Sequence, residues 1–111
     1  MFDTIILNGI IIDGTKKSRY HSDIGIYNGN IKAIGNLNNS EAKNFINAEN
    51  LIVSPGFIDI HSHSDLSLLV DPGGESKVHQ GVTTEVTGNC SLSPFPTGKA
   101  SPEILQKSIV G

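Results

Sequence analysis

Pro55-Gly56-Phe57-Ile58-Asp59-Ile60-His61-Ser62-His63 compresses a boundary, an apolar run and two imidazoles into one short stretch. Proline removes a ladder donor and glycine permits a sharp change of direction, so Ser54-Pro55-Gly56 separates an upstream segment from a downstream one. Phe57 to Ile60 reads as a buried strand. His61 and His63 lie two residues apart at its end, a spacing that projects both rings from one face of an extended chain. Neutral imidazoles so placed can share one cation such as zinc. A bare His-x-His pair is more often structural than metal-binding, so its surroundings have to carry the reading.

Downstream, Ser64 to Gln80 reads as a loop with weak helical character, Val82 to Thr87 as a second strand and Gly88 to Gly98 as a loop. Ser101-Pro102-Glu103 is a helix start, with a serine cap, proline in the first turn and an acid beside it, and Ile104, Leu105 and Ile109 supply its apolar face. Strand, connection, strand and helix form the opening of a parallel α/β architecture. If the two strands run parallel, Gly88-Asn89-Cys90 leaves the second at the same end as His61 and His63. Reactive groups of α/β barrels collect at that end. An isolated buried cysteine usually acts as a small hydrophobe. Beside His-x-His, Cys90 reads instead as a thiolate ligand whose pKa a cation would lower. Two parallel strands cannot cover both of their faces, so this half should expose apolar surface.

Upstream of Pro55 the pattern is all-β, with short β-branched runs at Thr4 to Leu7, Ile10 to Ile12, Asp23 to Tyr27, Ile31 to Ile34, Phe45-Ile46 and Leu51 to Val53. Asn28-Gly29 is the strongest hairpin signal, since both residues tolerate positive φ, and Asn8-Gly9 repeats it more weakly. Asn36 to Asn44 reads as a loop with a short helical turn at Ser40 to Lys43.

The chain has 111 residues, a formal net charge of −3 and no tryptophan. Its lysines and arginine are scattered apart from Lys16, Lys17 and Arg19, so neither a nucleic-acid surface nor base-stacking platforms are expected. No run approaches the roughly 20 apolar residues of a membrane span. The N-terminus lacks a signal-peptide pattern and the single cysteine cannot form an internal disulfide, so a cytoplasmic protein handling small molecules is expected. The length falls well short of the ~250 residues of an eight-stranded α/β barrel, so any barrel here is expected to be truncated.

Pro55-Gly56-Phe57-Ile58-Asp59-Ile60-His61-Ser62-His63-Ser64-Asp65 resembles the first barrel strand of the amidohydrolase superfamily. Gln80-Gly81-Val82-Thr83-Thr84-Glu85-Val86-Thr87-Gly88-Asn89-Cys90-Ser91 is similar to the D-aminoacylases, the N-acyl-D-amino-acid deacylases. Asn8-Gly9 through Asp13-Gly14, with Asp23 to Ile31, resembles the small β-sandwich that precedes the barrel. The resemblance implies a partial β-sandwich over residues 1–54 and a truncated (β/α)8 barrel over 55–111. It implies zinc held by His61, His63 and Cys90, and hydrolysis of the amide of N-acyl-D-amino acids by metal-activated water. Further histidines and an aspartate general base come from later strands in that family, so no catalytic residue is assigned within 1–111 and these residues alone are expected to be inactive. A hydantoinase or dihydroorotase, or an inactive remnant, is the alternative. Dihydroorotases usually carry an arginine where Asp65 stands, which argues against them. Ser91 departs from the glycine usual after the cysteine.

Asp59 and Asp65 are near enough in sequence to orient a ligand. Glu85 is expected to be solvated or to face a helix. His79 lies at the wrong end of the second strand and His21 in a polar loop, and both are read as structural.

Overall fold

The computed structural model describes residues 1–65 and 67–91. The helix start at Ser101-Pro102-Glu103, its apolar residues Ile104, Leu105 and Ile109, and most of the Gly88 to Gly98 loop lie outside the described residues. The chain divides after Pro55 into two compact units. The class is β followed by α/β.

The first unit is one mixed five-stranded sheet built around β1 (Phe2–Ile11). On one side β1 pairs antiparallel with β2 (Tyr20–Tyr27), which pairs antiparallel with β3 (Asn30–Gly35). Its other edge takes β4 (Ala42–Asn47) and then β5 (Ile52–Val53), both parallel to it. Ile5, Ile11, Ile24 and Ala48 form the buried core, with Ile5 at 0% exposure. Removing such a side chain from water contributes about 2–3 kcal/mol.

Asn28-Gly29 forms the expected hairpin turn, with φ of 51° and 70°. Asn8-Gly9 does not turn. Asn8 takes a left-handed φ of 62° inside β1, where the register with β2 shifts between Ile6 and Gly9. The strand continues through this bulge because Asp23 Oδ1 accepts the Asn8 N–H at 2.8 Å, while its Oδ2 accepts the Leu37 N–H at 2.8 Å. The helical turn expected at Ser40 to Lys43 is also absent: Ala42 and Lys43 begin β4. Pairing with β1, sealed by Phe2 N–H donating to Glu41 O at 2.8 Å, outweighs the local preference. His21 lies within β2, paired with Ile10, and not in a loop.

The second unit contains a parallel pair, β6 (Phe57–Asp59) and β7 (Val82–Glu85), joined through the short helices α1 (Ser67–Val70) and α2 (Glu75–Val78). The expected burial of β6 is not found. Phe57 is 63% and Ile60 76% exposed, because two paired strands leave their faces uncovered among the described residues. Gly56 lets the strands approach. A Cβ there would stand 2.7 Å from Thr83 Cβ, closer than real side chains come.

This packing sets two expected outcomes. Asp23→Ala leaves the Asn8 N–H of the β1 bulge and the Leu37 N–H without their acceptor and is expected to destabilise the first unit by about 1–3 kcal/mol in denaturant unfolding. Gly56→Ala is expected to cost about 1–3 kcal/mol through overpacking against Thr83, read as faster amide exchange in β6 and β7.

Candidate metal centre

The parallel pairing sets the site. Gly81 O accepts the Phe57 N–H at 2.8 Å, and the Val86 N–H donates to Asp59 O at 2.8 Å. Val86 O in turn accepts the Ser62 N–H at 3.1 Å, so pairing extends past the last regular residue of each strand. His61 and His63 lie beyond the end of β6 and are not strand residues. Asp59 Oδ1 accepts the His61 N–H at 3.1 Å, a local turn that bends the chain at Ile60 and delivers both histidines to the carboxyl end.

Their ring centroids are 5.4 Å apart, with planes inclined by 67°. Cys90 Sγ lies 3.4 Å from His61 Nε2. One ligand atom from each of His61, His63 and Cys90 falls within 4.8 Å of the others, and all three residues are exposed. Two donors on one tetrahedral zinc, at about 2.1 and 2.3 Å from the ion, stand about 3.5 Å apart. The His61 to Cys90 separation therefore fits a shared ion, and two nitrogens with one sulfur form a donor set that zinc accepts.

Cys90 sits in a 3-10 turn, Asn89–Ser91, with φ 56° and ψ 29°. A non-glycine residue in this left-handed region costs about 1–2 kcal/mol. Within Gly88-Asn89-Cys90 the positive φ values fall at Gly88, 83°, and at Cys90. The Asn89 side-chain amide donates to Ser62 O at 3.2 Å and to Val86 O at 2.8 Å, tying the turn to both strand ends.

Ser62 is 4% exposed, and its Oγ lies 2.6 Å from Ser64 Oγ. Ser64 Oγ donates to Glu85 Oε2. Lys77 Nζ, from α2, stands 2.6 Å from Asp59 Oδ2 and 3.5 Å from Glu85 Oε1, the latter an ion pair without hydrogen-bond geometry. Glu85 is therefore helix-facing and not solvated, with its side chain 11% exposed. The Ser64 hydroxyl, more than Lys77, holds the Glu85 carboxyl below its usual range. Lys77 lowers Asp59 with help from the His61 N–H, and Asp59 raises Lys77.

Asp59 thus touches the backbone of His61 and not its ring. Asp65 keeps one buried oxygen without a partner among the described residues, and His79 caps the C-terminal end of α2. Ser62, Ser64, Lys77 and Asn89 were not singled out from the sequence. Only Asn89, directly before the cysteine, offered a signal, since a serine or lysine among scattered others carries none.

A carboxylate with a depressed pKa stabilises the fold above its unfolded value, and that contribution disappears as pH falls through its folded value. The second unit is therefore expected to lose stability as pH drops below the ordinary glutamate value of 4.5. In Glu85→Gln that acid limb should flatten without vanishing, because Asp59 titrates there as well; thermal melts across acid pH measure it.

Residues 44–101 match the amidohydrolase family, and residues 1–58 match the N-terminal domain of the urease alpha-subunit. The chain is 41% identical over 101 residues to a D-aminoacylase of Alcaligenes xylosoxydans xylosoxydans, covering 91% of this chain and 21% of that protein. The N-acyl-D-glutamate deacylase of Bordetella bronchiseptica, solved with zinc and a phosphonate mimic of the tetrahedral intermediate, superposes with a TM-score of 0.83. It is 44% identical, over 86% of this chain and 20% of that one. A D-aminoacylase studied for its binuclear metal centre gives 0.82 at 43% identity, over 92% of this chain and 22% of that one. The chain spans about one fifth of the length of these relatives. This chain belongs to the amidohydrolase family.

Proposed function

We propose that the full-length protein is a zinc-dependent hydrolase that cleaves the amide of N-acyl-D-amino acids, and that His61, His63 and Cys90 contribute to its metal centre. The observation that carries this reading is the 3.4 Å approach of Cys90 Sγ to His61 Nε2, with His63 completing a cluster whose donor atoms lie within 4.8 Å. The kinship with a D-aminoacylase and with a zinc-bound N-acyl-D-glutamate deacylase supports the substrate class.

A zinc ion held by His61, His63 and Cys90 would supply Lewis acidity towards an amide carbonyl and towards water. The residues of this chain hold and orient. Each imidazole offers a lone pair only when neutral, and the thiol binds as thiolate. Asp59 fixes the backbone at His61, while Ser62, the residue between the two histidines, is buried and held by Ser64. His61 and His63 open onto a depression also lined by Ser67, Leu68 and Lys77, which leaves an acyl-amino acid an approach to the imidazoles. No helix among the described residues is long and apolar enough to cross a membrane. A cytoplasmic setting accords with a single exposed cysteine that must stay reduced to bind metal.

Purified full-length protein should contain zinc near stoichiometry and hydrolyse N-acetyl-D-amino acids. Chelation should abolish activity and zinc restore it. Cys90→Ala and His61→Ala should each lower metal content sharply in elemental analysis; an active protein without bound metal would refute the assignment.

A further inference from the structure

We propose that Asn89 is a positioning residue, whose side-chain amide sets the thiol of Cys90 against the histidine pair. The inference rests on the metal-centre reading and adds a residue to it. Regular pairing stops at Asp59 on one strand and Glu85 on the other, yet the site is assembled from residues beyond both ends. The Ser62 N–H to Val86 O bond at 3.1 Å carries the pairing one step further, but it reaches neither Asn89 nor Cys90.

The Asn89 amide spans that gap. Its Nδ2 donates to Ser62 O at 3.2 Å, the carbonyl lying in the chain between His61 and His63. It also donates to Val86 O at 2.8 Å, which already accepts the Ser62 N–H at 3.1 Å. One side chain therefore clamps both strand extensions immediately before Cys90, whose φ of 56° and ψ of 29° are unfavourable for a residue with a Cβ. A left-handed cysteine persists only where its surroundings over-determine it, and the neighbouring amide supplies two fixed points within one residue of it. The Ser62 end of the clamp is itself immobilised: Ser62 is 4% exposed, with its hydroxyl 2.6 Å from Ser64 Oγ. The requirement is for a donor. Aspartate has nearly the same shape as asparagine but would present oxygen to two carbonyl oxygens.

Cobalt(II) in place of zinc makes the role visible, because a thiolate ligand gives a near-ultraviolet charge-transfer band while imidazole ligands leave the visible ligand-field bands. The full-length protein, Asn89→Asp, Asn89→Ala and Cys90→Ala are titrated with cobalt(II), with circular dichroism as a check on folding. Both Asn89 variants are expected to keep the ligand-field bands, lose most of the charge-transfer band and bind cobalt about ten- to hundredfold more weakly, as is usual when a residue supporting a ligand is removed. Asn89 variants with the wild-type band and affinity overturn the proposal, and so does loss of all bands together with the fold in both. A wild-type spectrum identical to that of Cys90→Ala overturns the thiolate reading itself, and the role of Asn89 with it.

Discussion

Parallel pairing of β6 with β7 is the constraint on which the candidate site depends. It aligns Phe57 with Val82 and Asp59 with Glu85, so residues far apart in the chain leave the strands at one end. An antiparallel arrangement would have sent Cys90 to the opposite end from His61. Parallel strands need a crossover, and α1 and α2 lie in it. The approach also depends on Gly56, since any side chain there would collide with Thr83.

Around His61-Ser62-His63 exposed and buried side chains divide the labour. The imidazoles and Cys90 are exposed, with donor atoms within 4.8 Å of one another. Ser62, Ser64, Glu85, Lys77 and Asp59 form a continuous polar chain that returns to the His61 backbone. Half-buried polar groups joined in this way specify geometry, because each donor has few alternative acceptors within reach. The imidazoles thus stay exposed while the His61 backbone is held by Asp59.

The first unit solves a different problem. Its central strand carries a bulge at Asn8, and one carboxylate, Asp23, spans from that bulge to the Leu37 turn. The buried core is small, with Ile5, Ile11, Ile24 and Ala48. Phe45, Ile46 and Ile52 on β4 and β5 are more than half exposed. A single sheet has two faces, and one small cluster does not cover both.

Much of this was legible in the residues. Asn28-Gly29 forms its hairpin because two adjacent residues tolerating positive φ have few other uses between β-branched runs. The boundary at Pro55-Gly56 and the strands at Phe57 and Val82 rest on equally local chemistry. The same kind of signal misled at Asn8-Gly9, where Asp23 turned a turn signal into a bulge, and at Ser40 to Lys43, where β1 recruited the segment as a parallel strand. Sequence by itself determined the donor types, their order and the strand ends from which they come, because spacing and side-chain chemistry are properties of a few neighbouring residues. Only the tertiary structure decided the register of β6 against β7, that Asn89 ties their ends together and that Glu85 joins Ser64 and Lys77, because each depends on contacts between segments whose relative placement no local pattern encodes.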